Sequence, residues 1–241
     1  MDGKKVVIAG GGVLGSQIGL MSAYYGYDVT FWLRSEGSIG RTQPKLERYF
    51  GMMMDALEET KALIGNPMGA YVYPRGLVAD FKSATVESID ECIKYQKENL
   101  MNKITLETDM AKAVSGAYIA IEAMAEDPKA KIEVYTAMKD LLDEDTILCT
   151  NSSTLLPSMF AEYTGRPEKY CSLHFANSIW KNNTAEVMGH PGTDPEIYQK
   201  VVEFAKSIGM VPLQLHKEQP GYILNSMLVP FLSAAQGLWA N

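Results

Sequence analysis

The chain has no apolar run approaching the ~18–20 residues that a membrane-crossing helix needs, so its sequence marks no such span. Cysteine is scarce. Cys92, Cys149 and Cys171 are an odd set without C-x-x-C spacing, two of them in strand-like apolar runs, and they read as buried thiols rather than a disulfide framework. No cluster of His, Cys and carboxylate residues has metal-ligand spacing. Net positive charge is absent too: the formal balance of −7 argues against a general nucleic-acid binder or a partner for anionic membranes. There is no internal repeat and no low-complexity segment. The first residues are strand-like rather than a signal peptide, so a cytoplasmic location is expected.

What is present suits a globular fold: 241 residues, 46% hydrophobic and 21% charged, enough for one large domain or two small ones. The most informative stretch is the first. Val6 to Ala9 form an apolar strand pattern that runs into Gly10-Gly11-Gly12-Val13-Leu14-Gly15, and Ile18, Met21, Ser22 and Tyr25 follow at helical spacing. The motif is G-x-G-x-x-G. Gly10 permits the tight turn, Gly12 leaves room for a pyrophosphate against bare backbone, and Gly15 lets the helix pack close to the strand. The helix-start amides of Val13 and Leu14 then face the phosphates. A second strand, Val29 to Leu33, arrives at the distance that a dinucleotide-binding unit requires.

That second strand bears on which dinucleotide is bound. An NAD site places a carboxylate about 20 residues after the first glycine, on the ribose hydroxyls. Here that place is held by Leu33, followed by Arg34 and Ser35. Arg34 suits a charge-assisted pair with a 2′-phosphate and Ser35 adds a donor, which favours NADP over NAD. The competing reading has Arg34 as a solvated loop residue stacked on adenine and compatible with either cofactor.

Further along, the spacing predicts a helix from Pro44 to about Ile64, a loop over residues 65–76 and a second helix from Val86 to Leu100. These form a helical excursion whose Lys94, Lys97 and Lys103 either meet an anionic ligand tail or simply face solvent. Strands are then expected at Ile104 to Leu106, Tyr118 to Glu122, Thr146 to Thr150, Tyr170 to Phe175, Ala185 to Met188 and Val211 to Leu215. Helices are expected at Lys129 to Leu142 and Pro195 to Ile208. The alternation argues for an α/β, doubly wound, mostly parallel sheet. A last helix, Ile223 to Trp239, is apolar almost all round, so a partner chain or further residues are expected to cover it.

In such sheets the ligand lies across the carboxyl ends of the strands, so polar residues just beyond them are the candidates for chemistry. Asn151, Ser152 and Ser153 follow one strand, His174 ends another with Asn177 just after it, Glu186 lies in the next, and Asn225 opens the last helix. Moving a hydride between an alcohol carbon and a nicotinamide needs a group that takes and returns the hydroxyl proton, a task suited to histidine. Glu186 would orient and charge-stabilise His174, with Ser153 and Asn225 holding the substrate oxygen. On pattern alone, His174 reads equally well as a satisfied core histidine and Glu186 as a surface carboxylate.

Several segments together resemble the L-3-hydroxyacyl-CoA dehydrogenases, including the 3-hydroxybutyryl-CoA dehydrogenases. They are the glycine turn, Glu122-Ala123 with Glu126 and Lys131, Thr150-Asn151-Ser152-Ser153-Thr154-Leu155, Leu173-His174-Phe175-Ala176-Asn177, Ala185-Glu186-Val187 and Pro220-Gly221-Tyr222-Ile223-Leu224-Asn225. The resemblance covers nearly the whole chain. It implies a nicotinamide-dependent oxidoreductase of fatty-acid metabolism acting on an acyl-CoA, with Ser153, His174, Glu186 and Asn225 as the catalytic set. It further implies cofactor contacts at Glu126 and Lys131, and substrate contacts at Ser153, Asn177 and Asn225. By the same resemblance residues 1–219 are a Rossmann-type domain with a helical insert at about 44–101, and 220–241 begin an all-α C-terminal domain that forms a homodimer. The sequence departs from the family in lacking the acidic residue after the second strand, and in Ser178-Ile179-Trp180-Lys181-Asn182-Asn183, which replaces an apolar stretch beginning with proline. Ser153-Thr154-Leu155-Leu156-Pro157-Ser158 and Gly189-His190-Pro191 also look like relatives that oxidise free sugar acids or carnitine. The reading from another class is a non-catalytic dinucleotide-binding protein, against which the intact Ser153, His174, Glu186 and Asn225 set speaks.

Overall fold

The computed structural model describes residues 3–240, so the ends of the expected 1–219 and 220–241 units, residues 1–2 and 241, lie outside the described residues. The apolar opening run pairs on both sides because every side chain from Val6 to Ala9 is buried. It forms β1 (Lys5–Ala9), which leads through the glycine turn into α1 (Val13–Tyr24) and on to β2 (Asp28–Trp32). Three helices come next: α2 (Glu36–Lys61), α3 (Gly69–Val72) and α4 (Val86–Asn99). The alternating part resumes with β3 (Ile104–Glu107), α5 (Met110–Val114), β4 (Ala117–Glu122), α6 (Pro128–Met138) and β5 (Ile147–Thr150). It ends with β6 (Tyr170–Phe175), β7 (Thr184–Met188), α7 (Pro195–Ser207), β8 (Val211–Leu215) and α8 (Leu224–Ala240).

The strands make one eight-stranded sheet in the order β3-β2-β1-β4-β5-β6-β7-β8. All neighbours are parallel except β6 and β7. One face carries a core that includes Val6, Ile18, Phe31, Leu46, Trp180 and Phe204, and the other a smaller one that includes Val7, Tyr135, Met138, Phe160 and Tyr170. The sheet is thus covered on both faces, as the alternation of elements predicts. β1 pairs with β2 on one side and β4 on the other, so the chain reverses its direction of winding beside β1. A crevice opens there, at the carboxyl ends of the strands.

Four local expectations need correction. The first inserted helix begins at Glu36, not Pro44, because Ser35 caps it and Thr42 and Leu46 are already buried; Pro44 sits inside the helix. The loop expected over 65–76 contains the single turn α3. Helix α5, capped by Asp109, lies where no element was expected. The helix expected to reach Leu142 stops at Met138, and the Arg166 guanidinium collects the carbonyls of Leu142, Asp143 and Thr146 at 3.0, 2.7 and 3.1 Å.

Two of the cysteine expectations hold in detail. Cys149 and Cys171 are buried, register partners on β5 and β6, with sulfurs 4.0 Å apart; Cys92 is half-buried. Among the described residues no helix is long and apolar enough to cross a membrane.

Helix α1 approaches the sheet so closely that a Cβ on Gly19 would overlap the ring of the fully buried Phe31. Gly51, in contrast, lies in α2 with nothing within 4 Å of such an atom. Gly19→Ala is therefore expected to lower stability by about 1–3 kcal/mol through overpacking, whereas Gly51→Ala raises it by about 0.5–1 kcal/mol. Urea denaturation of the two variants beside wild type measures both.

Candidate active site

The glycine turn is built for close approach. Gly10 has φ +120°, and a Cβ there would come within 2.8 Å of the Ala123 carbonyl oxygen. A Cβ on Gly15 would overlap the Gly10 carbonyl, and one on Gly11 the Thr42 hydroxyl. Gly12 caps α1 with no side chain bonded to the helix start and no acidic residue in the first turn. The leading amides of α1 and its positive dipole end are thereby left for an anionic ligand. From the other side, Lys45 donates to the Gly11 carbonyl at 2.6 Å and seats α2 over the turn.

Around the turn lies a cleft of about 640 Å³, lined at its start by Gly10, Gly11, Gly12, Val13 and Leu14. One end is walled by Trp32, Leu33, Arg34, Ser38 and Arg41. The other is walled by Ala123 to Glu126, Asn151, Ser153 and Asn177. The bare glycine backbone and uncapped helix start between two such ends fit a dinucleotide.

At the first end Ser35 is displaced from its expected role. Its hydroxyl accepts from the Ser38 amide at 3.3 Å as the α2 cap, and the cleft wall is made instead by Ser38 and Arg41, whose guanidinium donates to Ser38 Oγ at 3.0 Å. Ser35, Ser38 and Arg41 follow one another at intervals of three, a spacing that exposes the pair only once the helix is known to start at Glu36.

At the second end Glu126 organises the loop after β5. Its Oε1 accepts from Ser152 Oγ at 2.5 Å, from the amides of Ser153 and Thr154 at 3.0 and 3.1 Å, and from Thr154 Oγ1 at 3.0 Å. Burial pushes its pKa up, but the Ser152 bond, the Lys131 charge and the Thr154 bonds outweigh this and hold the carboxyl below its ordinary range. Lys131 does not face the cleft, contrary to a direct cofactor contact. It is 1% exposed, bonds both oxygens of Glu122 at 2.9 and 2.8 Å, and reaches Glu126 at 3.4 Å, so it supports the wall from beneath. Asn151 lines the cleft and accepts from the Phe175 amide at 3.2 Å, joining β5 to β6 beyond their paired residues.

His174 and Glu186 are directly opposed on the antiparallel pair β6 and β7. This register puts both side chains on one face, and His174 Nδ1 meets Glu186 Oε2 at 2.7 Å. Both are buried, so neither is a surface group. The other carboxylate oxygen of Glu186 accepts from the amides of Ile223 and Leu224, each at 2.8 Å, at the start of α8. Burial pushes the Glu186 pKa up, yet the His174 bond and these two amides prevail and hold it below the ordinary carboxylate range. Asn225 donates to the Ser153 carbonyl at 3.1 Å and makes no other side-chain hydrogen bond among the described residues. The opening of α8 thus joins the two halves of the expected catalytic set.

Two features escaped sequence reasoning. The ring of Tyr222 packs on the His174 imidazole, with centroids 4.9 Å apart. Gln17, 2% exposed, accepts from the amides of Ser178 and Ile179 at 2.9 and 3.3 Å and fixes the loop after β6, where Ser178 is left-handed with φ +56°. Trp180 anchors the same loop to the helical insert: it is buried, its carbonyl accepts from the Gly76 amide at 3.0 Å, and its ring lies 6.0 Å from that of Tyr49. Of the lysines expected on the insert, Lys103 is turned to Asp28 at 3.6 Å, while Lys94 and Lys97 are exposed.

The fold and the cleft together define a dinucleotide-binding α/β protein with a histidine–carboxylate pair on adjacent strands. Comparison with known proteins makes the class specific. Residues 74–219 match the family described as 3-hydroxyacyl-CoA dehydrogenase, NAD binding domain, and the chain belongs to that family. It is 27% identical over 232 residues to hydroxyacyl-coenzyme A dehydrogenase, mitochondrial, of Rattus norvegicus, covering 96% of this chain and 65% of the relative. It is 31% identical over 176 residues to 3-hydroxybutyryl-CoA dehydrogenase of Clostridioides difficile, covering 66% of this chain and 62% of the relative. Among solved structures, a diketoreductase described for substrate-directed dual catalysis of dicarbonyl compounds superposes with a TM-score of 0.75 at 39% identity, covering 98% of this chain and 72% of that one. The chain spans a little under two thirds of the length of the two curated relatives.

Because Glu126 and Glu186 ionise more readily in the fold than their ordinary value of 4.5, the unfolded chain binds more protons over that range. Their stabilisation is complete above about pH 4.5 and is lost as pH falls through the lowered values. Glu186→Gln should flatten this acid limb in a series of melting curves taken from pH 6 to pH 3.

Proposed function

We propose that the protein interconverts a 3-hydroxyacyl-CoA and its 3-keto form, using a nicotinamide dinucleotide. The observation that carries this reading is the buried 2.7 Å contact of His174 with Glu186, joined through the start of α8 to Ser153 on the cleft wall. When bound, the nicotinamide accepts or donates the hydride. In oxidation His174 takes the hydroxyl proton on Nε2, the nitrogen not bonded to Glu186, and in reduction it returns a proton to the new alcohol oxygen. Glu186 fixes the tautomer and offsets the charge of the imidazolium. Ser153 and Asn225 hold the substrate oxygen, and Asn177 contributes to the substrate wall.

NADP is the cofactor that the first end of the cleft suits best. Leu33 offers no acceptor for the ribose hydroxyls, while Arg34, Arg41 and Ser38 supply donors and charge for a 2′-phosphate. The expected cytoplasmic location and role in fatty-acid metabolism fit this reading. So does α8 as the opening helix of a C-terminal helical domain that forms a homodimer, since Met227, Phe231 and Leu238 are 70%, 71% and 85% exposed.

A second reading keeps the reaction but replaces the acyl-CoA with a free hydroxy acid or a dicarbonyl compound. It is favoured by the 39% identity to the diketoreductase and by the polar Asn177 to Asn183 stretch on the substrate side. Charge reversal of Lys94 and Lys97 distinguishes the two: it raises KM for a CoA ester in the first case and leaves free substrates unaffected in the second.

In steady-state reduction of acetoacetyl-CoA with NADPH and NADH in parallel, NADPH should be preferred, and His174→Ala should lose about 10²-fold or more of kcat. Arg34→Ala and Arg41→Ala should each narrow the preference by raising KM for NADPH alone. Preference for NADH in wild type would remove the case for a 2′-phosphate site.

A further inference from the structure

Between Pro220 and α8 the backbone takes two successive left-handed steps, at Gly221 with φ +77° and at Tyr222 with φ +54°. Glycine accepts such a step freely. A bulky aromatic residue keeps it only where its surroundings over-determine it. Here the Tyr222 amide donates to the Gln219 carbonyl at 2.9 Å, its own carbonyl accepts from Ser226 Oγ at 2.5 Å, and its ring is buried beside Met188 and Leu215. The step has two consequences for the site. It delivers the next two amides, of Ile223 and Leu224, to Glu186, and it places the phenol ring on the His174 imidazole at an interplanar angle of 31°.

An imidazole held by one hydrogen bond keeps considerable freedom about its broad terminal torsion. The Nδ1 bond to Glu186 fixes one atom of the ring but not its plane, and a second ring packed against it fixes the plane. The phenol itself is unsuited to proton transfer, since burial pushes its pKa far above the ordinary tyrosine value.

We propose that Tyr222 is a positioning residue for His174: its ring holds the imidazole in the plane that keeps Nδ1 on Glu186, and shields that bond from water. The proposal rests on the functional reading above, in which His174 moves the substrate proton. It assigns the ring and not the hydroxyl, so phenylalanine should substitute.

The test compares wild type, Tyr222→Phe and Tyr222→Gly in the full protein. Glycine deletes the ring while accepting the left-handed backbone without strain, which protects the fold where alanine would not. In ¹⁵N-labelled protein, the His174 Nδ1 proton should be observable and slow to exchange in wild type and Tyr222→Phe, and lost to solvent exchange in Tyr222→Gly. The glycine variant should also lose about 10-fold or more of kcat with little change in KM for the cofactor, and phenylalanine should rescue it. Retention of the slow Nδ1 proton in Tyr222→Gly, with kcat within about twofold of wild type, overturns the proposal whatever happens to the melting temperature. If wild type turns over none of the substrates the functional reading fails, and the exchange rate of the Nδ1 proton still decides whether Tyr222 holds the imidazole.

Discussion

The buried carboxylate of Glu122 is the constraint on which the cleft depends. It is fully excluded from solvent at the end of β4, and it meets Lys131 and Tyr135 from α6, Thr150 from β5 and the Met124 amide of the adjoining loop. A charge so placed is tolerated only when every lone pair is occupied and a counter-ion is close. Removing one partner of such a pair costs about 3–5 kcal/mol, because the remaining charge is stranded. The network therefore fixes three elements relative to one another, and they carry the second end of the cleft. Lys131 passes the constraint on to Glu126, and Glu126 holds the loop that bears Ser152 and Ser153.

Glu186 repeats the arrangement with a different counter-group. Its charge is met by an imidazole on one oxygen and by the amides at the start of a helix on the other. Because those amides belong to α8, the position of α8 and the orientation of His174 are set by the same carboxylate. Asn225, one residue further, then fastens α8 to Ser153. The site is thus assembled from β5, β6, β7 and α8 by hydrogen bonds that run from one element to the next, which explains how residues far apart in sequence converge.

Much of this was legible in the chain. The buried β1, the three glycines and the alternation of later elements identify the doubly wound sheet, since period and turn chemistry are local properties. The placement of His174 near the end of one strand and of Glu186 in the next was legible too, but their mutual contact depends on the antiparallel register of β6 and β7, which a single sequence does not display. The start of α2 was misplaced because glycines and Pro44 look like punctuation, whereas the burial of Thr42 against the glycine turn extends the helix through them. That error hid Ser38 and Arg41. Lys131 was misassigned for a related reason: nothing in its neighbourhood signals that its ammonium turns inward to Glu122. Tyr222 and Gln17 act on segments distant in sequence and left no periodic signal at all.

The loop following β6 is held from two sides, by Gln17 of α1 through the amides of Ser178 and Ile179 and by Gly76 of the helical insert through the Trp180 carbonyl. Its backbone is thereby attached to α1 and to the insert at once. A wall so braced cannot serve as a flap: it offers a preformed surface against which a ligand either fits or fails to fit. Discrimination on that side is then a matter of rigid shape and charge rather than of closure.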